Sequence, residues 1–167
     1  MVNDRFVPVV SYSRGRVVLV LPTYHYRRVW PKKGARVMVD KDILSSSIYD
    51  AGVETMFKEG MLWIDDKDFR IELGLEQPEV EGEEPAEPSI ILLDDKLLQR
   101  IIKLMPVAEV KLTLDKLNRD QLSEVADYAV AHYDELKMDR VDLLTEKTGI
   151  NILKAIEFKR DMEMPND

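Results

Sequence analysis

Over residues 7–39 the apolar positions come in short β-branched runs cut by polar turns. Val7-Pro8-Val9-Val10-Ser11-Tyr12 and Val17-Val18-Leu19-Val20-Leu21 flank Ser13-Arg14-Gly15-Arg16, a pattern that predicts a β-hairpin with Gly15 at a positive-φ position. Pro8 has no N–H to give to a ladder, so its strand is expected at a sheet edge. Tyr26–Trp30 and residues 35–39 predict a second strand pair across the turn Pro31-Lys32-Lys33-Gly34. Arg28, Trp30, Arg36 and Met38 fall on alternating positions, which gives each strand a polar and an apolar face. Four such strands predict a small sheet or an SH3-sized barrel.

From Asp40 the period lengthens to that of a helix. Asp40 is a fitting N-cap for a helix carrying Ile43, Leu44 and Ile48 and ending near Asp50-Ala51-Gly52. Val53, Met56 and Phe57 stand at helical spacing in a second helix that stops at Gly60. The run Met61-Leu62-Trp63-Ile64 predicts a buried strand returning to the sheet, with Trp63 in the core. Asp65 or Asp66 caps a short helix over residues 67–73, closed by Gly74. Residues 76–89, EQPEVEGEEPAEPS, then hold six glutamates, three prolines and one sizeable apolar side chain, Val80. That stretch buries too little to offset its ordering entropy, and predicts a flexible, self-repelling linker.

Beyond it the helical period dominates. Residues 90–93 read as an extended lead-in, and Asp94 caps a helix with Leu97, Leu98, Ile101, Ile102 and Met105 on one face, ended by Pro106. Pro106 opens another helix, since proline suits the first turn. Asn118-Arg119-Asp120-Gln121 reads as a capping box before the stripe Leu122, Val125, Ala126, Ala129, Val130 and Tyr133. Val141, Leu144 and Thr148 mark a shorter helix ended by Gly149. Asn151 caps a final one carrying Ile152, Leu153, Ala155, Ile156 and Phe158, with a tail over 162–167 expected to fray. The expected fold is α+β: a β-rich N-terminal domain with short helices over 1–75, an acidic linker over 76–89 and a small helical domain over 90–167.

Composition and charge narrow the function. The 167 residues suit two small domains, and 45% apolar content is enough for a core in each. The absence of cysteine excludes disulfides, thiolate metal ligands and cysteine nucleophiles, and accords with a reducing compartment. No run approaches the ~18 apolar residues of a membrane span. The N-terminus lacks the apolar core and cleavage site of a secretory signal. An intracellular protein without membrane contact is therefore expected. The net charge of −8 is uneven: residues 5–39 contain eight cations and no acid. Such a local positive field suits phosphate or an acidic protein surface, while the acidity of the whole argues against coating DNA.

Candidate chemistry is sparse. Asp65-Asp66-Lys67-Asp68 has calcium-like oxygen ligands, but counting from Asp66 places Arg70, Ile71 and Gln77 where an EF-hand needs an oxygen ligand, glycine and glutamate. Capping and solvated charge are the commoner roles for such a cluster. His25 and His132 lack zinc-site spacing. His132 sits where a cation suits a helix C-terminus. No phosphate loop or nucleophile elbow is present. No catalytic residue, metal or cofactor is expected, and the protein reads as non-enzymatic. The candidate contact surface is Arg27, Arg28, Trp30, Lys32, Lys33 and Arg36. With Tyr24 and Tyr26 it combines cations and rings as single-strand-binding surfaces do. The competing role for these residues is sheet packing with a solvated rim of charge.

Several stretches carry a resemblance: Arg27-Arg28-Val29-Trp30, Tyr49-Asp50-Ala51-Gly52-Val53-Glu54, Met56-Phe57-Lys58-Glu59-Gly60-Met61-Leu62 and Leu73-Gly74-Leu75-Glu76, with a looser match over residues 114–156. In these the chain resembles small proteins encoded among the virion and head-assembly genes of tailed phages and prophages of Gram-positive bacteria. Ala51 stands where that pattern has proline. The resemblance implies a non-enzymatic part in virion structure or assembly, in the particle or the host cytoplasm. The implied partners are other virion or assembly proteins. The alternative is a nucleic-acid-binding accessory protein using the basic aromatic face around residues 27–36.

Overall fold

A computed structural model describes residues 4–84 and 91–164. The architecture is α+β, and the chain divides into two compact units at Leu92 and Leu93. Strands β1 (Phe6–Ser11), β2 (Val17–Leu21), β3 (Tyr26–Trp30), β4 (Arg36–Asp40) and β5 (Leu62–Ile64) belong to the first unit. They form two antiparallel sheets, ordered β4-β1-β5 and β2-β3.

Neither of the strand pairs expected from sequence neighbours forms. β1 pairs with β4, Val7 opposite Val39, and with β5, Val9 opposite Ile64; β2 pairs with β3, Val17 opposite Trp30. Gly15 is not among the positive-φ glycines. Its segment crosses from one sheet to the other instead of turning back. The turn before β4 is fastened to β1: Gly34 N–H donates to Ser11 C=O (2.7 Å) and Ser11 N–H to Ala35 C=O (3.0 Å). Trp30 gives the physical reason. Its fully buried indole donates Nε1–H to Val9 C=O at 2.9 Å, tying the two-stranded sheet to the centre of the three-stranded one. An aromatic ring filled in between two sheets removes more apolar area from water than two hairpins standing apart.

Pro8 is central, not at an edge. Its carbonyl accepts from Asp65 N–H (2.9 Å), one residue past the end of β5. A residue's N–H and C=O point to the same neighbour in an antiparallel ladder, so the bond proline cannot make is only the terminal one.

Helices α1 (Lys41–Ser47), α2 (Ala51–Lys58) and α3 (Lys67–Glu72) complete the unit. Asp40 caps α1 by accepting from the N–H groups of Asp42 and Ile43, and Asp66 caps α3 through Phe69 N–H. Leu44, Phe57 and Phe69 from these helices join Val9, Leu19, Trp30 and Leu62 in one core. Trp63 is not in it. Leu62 and Ile64 face inward, so alternation turns Trp63 to the outer face, where it is half-buried.

In the second unit α4 (Asp95–Gln99) starts at Asp94, whose side chain accepts from Leu97 N–H. It runs on as a π-helical turn, Arg100–Leu104, ending before Pro106. Helices α5 (Val107–Asp115), α6 (Arg119–Ala131), α7 (Val141–Thr148) and α8 (Ile152–Glu163) follow. The capping box of α6 forms in both directions between Asn118 and Gln121, Gly149 takes φ 74° after α7, and Asn151 caps α8. Arg140, in a short 3-10 turn, is 2% exposed and donates from Nη1 to the carbonyls of Ile101 (2.9 Å) and Met105 (2.5 Å). Those carbonyls belong to the widened turn and its exit, where the α-helical ladder is interrupted. Residues 76–84 carry no helix or strand, and the remainder of the expected linker lies outside the described residues, as does the end of the expected frayed tail.

Candidate functional site

The six residues proposed from sequence do not form one surface. Trp30 is in the core with its N–H spent on Val9, so it offers no ring to a base. Arg28 lies over the Tyr26 ring at 4.2 Å and donates Nε–H to Met38 C=O at 3.2 Å. Tyr26 OH accepts from Asp40 N–H at 2.9 Å. Met38 and Asp40 turn their backbone groups away from β1, so these two side chains close the free edge of β4, a place where an open strand would otherwise invite pairing. Arg36 is ion-paired to Asp65 at 2.6 Å. Arg27, opposite Val20, is exposed but sits three strand positions from Trp30, about 10 Å along the strand.

Lys32 and Lys33 acquire neighbours that the sequence reading did not include among the six. The pairing of Val17 with Trp30 brings residues 13–16 alongside the turn after β3, and the Ser11 bonds to Gly34 and Ala35 hold that turn against the end of β1. Arg14, Arg16, Lys32 and Lys33 therefore gather at one end of the unit. The acid-free run of residues 5–39 was the available signal, since both connections fall within it.

The outer face of the three-stranded sheet is a second surface. Cross-strand register aligns Val10 with Arg36 and Trp63, and Pro8 with Met38, which is 48% exposed. Arg70 of α3 lies over the Trp63 indole at 4.2 Å and donates Nη1–H to Ile64 C=O at 2.7 Å. Its Nη2 meets Glu76 at 3.4 Å, and Lys67 meets Glu79 at 2.9 Å. Hydrogen bonding to Glu79 raises the Lys67 pKa, and the same contact lowers that of Glu79. Strand alternation was the sequence signal for Trp63; the four-residue apolar run concealed it.

Among the described residues no group of three or more acidic or histidine side chains is gathered for a metal ion, and no helix is long and apolar enough to cross a membrane. His25 occupies a left-handed position (φ 49°) after the 3-10 turn Pro22–Tyr24. His132 ends α6 stacked on Tyr128, with ring centroids 4.0 Å apart. Comparison with known proteins finds no matching family model, no matching curated relative and no matching solved structure, so the functional reading rests on these residues.

Proposed function

We propose that the protein is a non-enzymatic component of a tailed-phage particle or of its assembly, acting through protein–protein contacts. The observation that carries this reading is the division of the chain into two compact units at Leu92 and Leu93, each with buried apolar residues of its own. Two binding units on one chain raise the effective concentration of the second contact once the first has formed. The outer sheet face, with Trp63 and Met38, supplies the aromatic and methionine content typical of protein contacts. The resemblance over residues 27–76 adds the phage setting. Mass spectrometry of purified particles from a host carrying the gene tests this, with the chain expected at stoichiometric abundance. Its absence from both particles and assembly intermediates would overturn the reading.

The cluster of Arg14, Arg16, Lys32 and Lys33 favours a second reading, contact with nucleic acid. That cluster supplies phosphate neutralisation without a stacking ring, because Trp30 is buried. Single- and double-stranded DNA titrations at two salt concentrations test it. Arg16→Glu/Lys32→Glu is the suitable variant, since Arg28 has a structural bond to lose.

A further inference from the structure

The acidic stretch after α3 does not simply run into solvent. Its first two glutamates return to α3, Glu76 to Arg70 and Glu79 to Lys67. Lys67, Arg70 and the half-buried Trp63 form the surface they meet. Arg70 is held in place before any ligand arrives: its side chain is 11% exposed, its Cζ lies over the indole at 4.2 Å, and Nη1 donates to Ile64 C=O. Its buried Nε has no hydrogen-bond partner. A guanidinium oriented in this way presents its remaining nitrogen to a carboxylate at little entropic cost.

The nearby acids do not cancel this site. Asp65 is engaged by Arg36 and Asp66 by the first turn of α3. Asp68 and Glu72, four residues apart, share a different face of α3 from Lys67 and Arg70, which are three apart.

We propose that Lys67, Arg70 and Trp63 form a binding site for an extended acidic peptide segment of a protein partner, and that Glu76–Glu79 of the same chain occupies it as a displaceable stand-in. The occupant's chemistry is read from what is already seated there: two glutamates three residues apart in a segment that is neither helix nor strand. The Lys67–Glu79 pair is a surface contact, with Glu79 76% exposed, and the part-buried Arg70–Glu76 pair is long at 3.4 Å, so neither holds the segment firmly. A covalently attached stand-in keeps the site filled until a partner with more carboxylates, or a higher local concentration, replaces it. This deepens the protein-contact reading by naming one partner chemistry. Its test reads the site alone and is independent of whether the chain is found in particles.

The probe is a free peptide with the sequence of residues 76–84, EQPEVEGEE, titrated into the full chain and followed by tryptophan fluorescence. Trp63→Phe identifies the Trp63 component of the signal. Relative to the native chain, Glu76→Gln/Glu79→Gln is expected to bind the peptide roughly three- to tenfold more tightly, because two weak competing pairs are gone. Added salt should weaken that binding, and Lys67→Gln, at an exposed position with no packing role, should weaken it in the same background. A peptide with every glutamate replaced by glutamine should not bind. Equal affinity of the native and Glu76→Gln/Glu79→Gln chains, indifference to Lys67→Gln, or no binding at millimolar peptide would each overturn the proposal.

Discussion

In the N-terminal unit the backbone groups left over by regular structure lie along sheet edges, and side chains from other elements reach across to them. Tyr26 and Arg28 serve β4, and Arg70 serves β5. In the C-terminal unit the leftover groups lie at helix ends. Local caps take some of them, Asp94, Asn118 and Asn151 at N-termini and Gly149 at a C-terminus. The exception is the π-helical turn, whose carbonyls need Arg140 from 35 or more residues away. The difference shows what a buried or half-buried arginine is for in this protein. Arg28, Arg70 and Arg140 each spend donors on main-chain carbonyls, so counting cations overstates how many are left for a ligand. Lys32 and Arg27 at the surface differ from Arg28 in this respect, although all lie in one basic run.

The contrast can be broken most directly at Trp30. Trp30→Ala removes the ring that links the sheets and is expected to cost about 3–5 kcal/mol. Both tryptophans lie in the N-terminal unit, so fluorescence-monitored denaturation of the variant, through Trp63, should show that unit's transition at much lower denaturant. Retention of the native midpoint would mean that the two sheets do not depend on the indole. Arg140→Met comes next. It leaves the Ile101 and Met105 carbonyls without their buried donor, at an expected cost of about 2–4 kcal/mol. Here the helical signal in circular dichroism should shift while tryptophan fluorescence keeps its midpoint. Equal shifts in both signals would erase the distinction between the units.

The smallest effect is one of pH. A hydrogen bond from Arg5 is the main reason that the Asp40 carboxyl titrates below its ordinary value of 3.8, with the N-cap bond from Ile43 N–H next. A carboxyl with a lowered folded pKa contributes stability that is present above its unfolded value and is lost as pH falls through the folded one. The N-terminal unit should therefore lose stability as pH is lowered below about 4. Asp40→Asn should start less stable at neutral pH and show a flatter profile. A native profile with no slope in that range would remove Asp40 from the account of the β4–α1 junction.

How much of this was legible follows the distance over which each interaction acts. Asp40, Asp94, Asn118 and Asn151 were readable as caps, and Asp66 as one of two neighbouring candidates, because a capping side chain meets N–H groups two or three residues away. The strands themselves were readable for a similar reason, since β-branched content and alternation are local. Their partners were not. β1 adjoins β2 in sequence but pairs with residues some thirty and fifty-five positions on, Val7 with Val39 and Val9 with Ile64. The π-helical turn was equally hidden, because the arginine that serves its carbonyls comes from another element.

The contact surface divides along the same line. Its cations were visible in the sequence as a run without acids, and Arg14 and Arg16 were part of that run. The two tryptophans exchanged the roles expected of them: Trp30 went to the core and Trp63 to the surface. By itself the sequence determined the fold class, several helix caps and where charge accumulates, because these depend on neighbours within a few residues, whereas Ala51 and Gly52, expected to end α1, open α2. Only the tertiary structure decided which strands pair, which ring is buried and which cations remain at the surface. Those outcomes depend on how segments far apart in the chain close around Trp30.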